Sequence, residues 1–96
     1  MAQEGAALDS VSVPLSGEVL GPDGRGLPGC MIVNRSTGEG RFGSSSGRFA
    51  LKVSKGDTLQ FAAIGYRKVT KRIPMESAEG GVNWSIHLSK ITEAVS

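Results

Sequence analysis

Gly43-Ser44-Ser45-Ser46-Gly47 fits G-x-S-x-G, the pattern that raises a nucleophilic serine on a sharp strand-to-helix turn. That chemistry needs a strand before the serine, a helix after it and a base within hydrogen-bond reach. Here strand-like sequence follows, and His87 is the only histidine. The segment therefore reads as a flexible turn between strands. His87 and Cys30, the only cysteine, fall short of a zinc site, which takes about four N, S or O ligands. Glu18, Asp23, Glu39 and Asp57 are scattered over separate segments, with no pair spaced for acid–base work and no calcium-loop motif. The residues point to no catalytic group, no metal ligand set and no cofactor.

Arg67, Lys68, Lys71 and Arg72 make a local basic cluster. On a strand, Arg67 and Lys71 project to one side while Lys68 and Arg72 project to the other, so they do not form one anion-binding stripe. Charges on a strand also guard an edge against pairing with other molecules. These four are the candidate partner-contact residues, suited to an acidic protein surface or lipid headgroups. Asn34-Arg35-Ser36 and Asn83-Trp84-Ser85 match the N-glycosylation sequon, and both read as chance matches, the second inside a strand-like run.

The stretch GPDGRGLPGC, residues 21–30, resembles both a phosphate-cradling loop and a lipid-attachment box. A phosphate loop must open a helix, and CMIVN is too short and apolar to be one. A lipid box needs an apolar run before Leu-x-Gly-Cys, where this chain has Gly, Pro, Asp and Arg. What remains is a turn at Asp23-Gly24, with Leu27-Pro28-Gly29 steering into a strand whose first buried residue is Cys30.

The elements that hold these residues are short. The chain has 96 residues, room for one small domain. Its 14 glycines and sparse aromatics favour short strands and tight turns over helices. From Pro14 onward, apolar residues alternate: Leu15 and Val19; Phe49, Leu51 and Val53; Leu59, Phe61 and Ala63; Val69 and Ile73; Val82, Trp84, Ile86 and Leu88. CMIVN reads as a strand buried on much of both faces, and Arg41-Phe42-Gly43 as a weak pairing segment. Ile64-Gly65-Tyr66 breaks the alternation, and a strand then runs from Tyr66 to Ile73. Residues 1–12 read as a disordered leader, 13–89 as the domain and 90–96 as a tail, with one helical turn possible at 75–79 and a frayed one at 90–95. About seven strands with regular turn signals predict an all-β, antiparallel sandwich. A net charge of +2 and few aromatics argue against nucleic acid, and no apolar run is long enough to insert into a membrane.

From Leu15 to Leu88 the order of turns resembles the carboxypeptidase regulatory-like domains, transthyretin-like (prealbumin-like) β-sandwiches. The resemblance is carried by Ser16-Gly17-Glu18-Val19, Asp23-Gly24, Leu27-Pro28-Gly29, Gly38, Gly47-Arg48-Phe49, Gly56-Asp57-Thr58-Leu59 and Ile64-Gly65-Tyr66. The last two pieces are most similar to the version common in Bacteroidetes, often found before the plug of TonB-dependent outer-membrane receptors. Cys30 departs from a usual small aliphatic residue, and Ser44-Ser45-Ser46 from a turn often rich in Asp. The resemblance implies a Greek-key sandwich without catalytic residues, carried on the periplasmic side of the outer membrane. Met1-Ala2-Gln3 would then be a trimmed start or the tail of a removed export signal, and Asp9-Ser10-Val11 resembles a short O-glycosylation acceptor of that phylum.

Three functions follow as expectations. The first is a non-catalytic accessory module of a larger envelope protein, contacting neighbouring domains or a protein partner. The second is an independent ligand-binding or adhesive domain. The third, by analogy with transthyretin-related hydrolases, needs several histidines and an arginine, and this chain has one histidine.

Overall fold

In the computed structural model, residues 12–76 and 80–91 are described. The leader at 1–11 with its Asp9-Ser10-Val11 acceptor, and parts of the helical turns expected at 75–79 and 90–95, lie outside them. The described residues form seven strands and no helix: β1 (Ser12–Leu20), β2 (Met31–Asn34), β3 (Gly40–Phe42), β4 (Arg48–Ser54), β5 (Thr58–Ala62), β6 (Val69–Arg72) and β7 (Val82–His87). They make a three-stranded sheet, β4-β1-β7, and a four-stranded sheet, β3-β2-β5-β6. Among the described residues no helix is long and apolar enough to cross a membrane.

Alternation sets which side chains meet between the sheets. Val13, Leu15, Val19, Phe49, Val53 and Ile86 come from the first sheet, and Ile32, Leu59 and Phe61 from the second; all are buried. Phe61 joins the layers, with ring centroids 5.4 Å from Phe49 and 6.1 Å from Trp84. Tilted and edge-on pairs of this kind add about 1 kcal/mol to the burial of their area.

Three local readings change. Four pairings are antiparallel, but β1 and β7 run parallel, with Leu15 opposite Val82 and Leu20 opposite His87. Only a tight turn forces neighbours to be antiparallel, and β1 and β7 are separated by every other strand. β2 is buried on one face rather than two: Cys30, Ile32 and Asn34 face inward, while Met31 is 37% exposed because none of the described residues forms a layer over the outer side of its sheet. β6 begins at Val69, not Tyr66. The Arg67 amide donates to the Ser89 carbonyl, and Tyr66 bridges Lys90, so residues 66–67 pair with the segment after β7. The same pairing draws Lys90 and Ile91 out of the expected tail, the Ile91 amide donating to the Gly65 carbonyl.

GPDGRGLPGC is the turn that the alternation requires. The Gly24 amide donates to the Gly21 carbonyl and the Gly21 amide to the Arg25 carbonyl, after which Gly26 bridges Leu20. The Leu27 amide then donates to the Val19 carbonyl (2.9 Å), while the Val19 amide donates to the Gly47 carbonyl (2.8 Å). This knot needs two bare backbones. A Cβ on Gly26 would strike the Ser46 carbonyl, and one on Gly47, whose φ is 80°, would lie 2.5 Å from the Val19 carbonyl oxygen.

Gly47→Ala should therefore combine left-handed strain with a backbone collision and lower stability by roughly 3 kcal/mol or more. Gly24 has a similar φ of 82° but nothing within 4 Å, so Gly24→Ala should cost only about 1 kcal/mol. Denaturant titration of the two variants checks this; equal losses would contradict the role given to the knot.

Candidate functional site

The four basic residues divide into two environments. Lys71 shares the inward side of β6 with Val69 and buried Ile73, and its Nζ sits 4.7 Å from the centre of the Trp84 ring. It caps the seam where β6 and β7 form the neighbouring edges of the two sheets. Arg72 points the other way, and its Nε donates to the Gly56 carbonyl at 3.2 Å. Arg67 and Lys68 stand in the connection before β6, exposed, with no side-chain hydrogen bond or ion pair among the described residues. The structure thus separates two cations engaged within the fold from two that face solvent unpaired.

The serine turn is built by Ser44, not by a nucleophile. The Ser44 hydroxyl accepts from the Ser46 amide (3.2 Å) and the Arg48 amide (3.1 Å), and the Gly47 amide donates to the Ser44 carbonyl. A strand, β4, follows it. His87 is exposed on β7 opposite Leu20, and no hydrogen bond links it to these serines among the described residues. No three His, Cys, Asp or Glu side chains among the described residues are placed to hold a metal ion.

Cys30 is fully buried, at 0% exposure, one residue before β2 begins. Gly43 packs so closely on it that a Cβ there would meet the sulfur, and the Gly43 amide donates to the Cys30 carbonyl. Burial raises the thiol above its ordinary range, with nearby backbone hydrogen bonding opposing part of that shift.

A polar residue that alternation alone does not flag ties the opposite end together. Asn34 is 3% exposed. Its Nδ2 donates to Asp57 Oδ2 (2.8 Å), and its Oδ1 accepts from the Ser36 amide (2.9 Å) and the Thr37 amide (3.2 Å). Asp57 Oδ2 also accepts from the Ser54 amide at 2.9 Å. One side-chain pair thus organises the β2–β3 turn and the β4–β5 turn together. It also withdraws the Asn34 nitrogen from solvent, which removes the first sequon as an acceptor. Asn83 of the second lies within β7 and donates to Ser16 Oγ (3.0 Å).

Two of the surface depressions among the described residues bear on binding. A broad depression of about 600 Å³ lies on the outer face of β4-β1-β7, against Ser16, Glu18, Arg48, Ala50 and Asn83. A smaller apolar slot of about 290 Å³ lies on the outer face of β3-β2-β5-β6, against Met31, Phe42, Ala62 and Ile64. Phe42 is 76% and Ile64 99% exposed. With this geometry established, comparison of the chain with protein-family models and with characterised proteins yields no match.

Two outcomes are expected. Asn34→Ala should lower stability by about 2–3 kcal/mol, because it takes one donor from Asp57 and the side-chain acceptor from two turn amides; a loss below about 0.5 kcal/mol in denaturant titration would contradict the tie. Cys30 should resist thiol reagents until the chain unfolds. Its proton is held more tightly in the fold than in the unfolded chain, so stability should fall as pH rises through the ordinary thiol range toward the folded value. Cys30→Ala should remove that part of the pH slope; an unchanged slope, or fast labelling of the native protein, would contradict the burial.

Proposed function

We propose that this chain is a non-catalytic interaction module of the carboxypeptidase regulatory-like kind, a Greek-key, transthyretin-like sandwich that positions or contacts other parts of a bacterial envelope protein. The observation that carries the reading is where the turn series falls. Leu27-Pro28-Gly29, Gly47-Arg48-Phe49, Gly56-Asp57-Thr58-Leu59 and Ile64-Gly65-Tyr66 all stand at strand junctions. The sheet memberships also support it. The first strand pairs with the fourth and seventh, and the second with the third and fifth, so the chain crosses repeatedly between layers.

The residue chemistry agrees with this reading. Ser44, Cys30, Asp57, Lys71 and Arg72 are engaged in turns, core and seam, which leaves contact surfaces rather than a reaction centre. In the proposed setting the parent is a TonB-dependent receptor, with this module at its N-terminus on the periplasmic side of the outer membrane. An independent ligand-binding role is the second reading, favoured by the depression whose lining includes the polar residues Ser16, Glu18, Arg48 and Asn83.

Deleting the module from the full-length parent should remove crosslinks to periplasmic partners and alter uptake. Unchanged crosslinks and uptake would overturn the interaction role. Chemical-shift changes centred on Ser16 and Asn83 with a small polar ligand would favour the second reading instead.

A further inference from the structure

The outer face of the four-stranded sheet holds an exposed apolar slot at one end. Its floor is Met31 and Ala62, which are paired across β2 and β5, and its walls are Phe42 on β3 and Ile64 in the turn after β5. Phe42 is itself paired with Met31, so wall and floor are adjacent strands of one sheet. Two large apolar side chains more than three-quarters exposed stand around a common recess, the kind of surface that contact with another molecule would cover.

Charge indicates what kind of molecule. Residues 62–68 and 88–91 run beside the slot and are joined by the Arg67–Ser89 and Ile91–Gly65 hydrogen bonds. They carry Arg67, Lys68 and Lys90 and no carboxylate. None of the three has a side-chain ion pair among the described residues. Of the acidic residues nearest in chain order, Asp57 is held against Asn34, Glu76 lies beyond β6, and Glu79 and Glu93 lie outside the described residues.

Resting on the interaction reading above, we propose that this slot docks an extended acidic segment of a partner protein. One aliphatic or aromatic side chain would lie between Phe42 and Ile64, with carboxylates following it toward Lys68 and Arg67. The recess suits a single inserted side chain. Arg67, Lys68 and Lys90 stand in the two segments that are joined beside Ile64; a lipid surface would make no use of a one-residue recess.

The test is an NMR titration of the full chain with a synthetic peptide mixture: Leu, Ile or Phe fixed at the centre, Asp or Glu at flanking positions. Salt-sensitive shifts confined to Met31, Phe42, Ala62, Ile64 and Lys68 are expected. Ile64→Ser, or the pair Arg67→Glu and Lys68→Glu, should each weaken binding by about tenfold or more. All three residues are exposed, and unchanged Phe61 and Trp84 resonances would report an intact fold in each variant. No shifts, shifts centred elsewhere, or equal binding of a Lys-flanked mixture would overturn the proposal. So would Ile64-dependent binding to phosphatidylglycerol vesicles without peptide binding, or a chain cut after Ile91 in which the same resonances move without peptide. If the slot fails while deletion of the module still removes crosslinks in the parent, the interaction role stands and only its location is wrong.

Discussion

The backbone of Val19 holds the sandwich closed. Its amide donates to Gly47 and its carbonyl accepts from Leu27, while its side chain is fully buried between the sheets. Two loops distant in sequence, 21–30 and 43–47, are thereby fastened to one strand. Bare backbones at Gly26 and Gly47 are the condition for it. Everything downstream inherits that placement: Leu27 enters the core, Cys30 seats under Gly43, and β2 starts at the level that puts Ile32 opposite Phe61. Motifs that superficially suggest phosphate binding or nucleophilic attack are spent on this closure.

The other end is closed by a different physical device. Asn34 and Asp57 satisfy each other and the amides of two turns in a site with little solvent, where an unmade hydrogen bond is costly. With Lys71 laid over Trp84 at the seam between β6 and β7, both ends and one side of the sandwich are tied. Such a body suits a part that is held against something else. Its surface carries the apolar slot at Phe42 and Ile64 and, among the described residues, cations at 67, 68 and 90 without a side-chain ion pair.

Much of this architecture is legible in the residues because alternation and glycine placement are local signals. Phe49 and Val53, Leu59 and Phe61, and Ile86 and Leu88 are buried in the phase their spacing predicts. The turn at Asp23-Gly24 and the burial of Cys30 also follow from neighbouring residue types. What is not legible depends on partners far away in the chain. Asn34 looks like a strand end until Asp57, 23 residues later, is placed against it. The parallel direction of β7 is set by packing between chain ends that no turn connects. Arg67 and Lys68 read as strand residues, yet Arg67 pairs with Ser89, and the segment after β7 is not foreseeable as its neighbour. Phe42 and Ile64 have the composition of core residues; only the outer face of their sheet, over which none of the described residues forms a layer, shows that they are exposed.

The central physical claim is that the Val19 knot and the Asn34 tie make one cooperative body rather than a core with loose ends. Native-state hydrogen exchange of the Val19, Leu27 and Asn34 amides tests it most directly. Opening free energies equal to that of the Phe61 amide at the centre of β5, with the same denaturant dependence, are the predicted result. Exchange of these three through small local openings, while Phe61 stays protected, would contradict it.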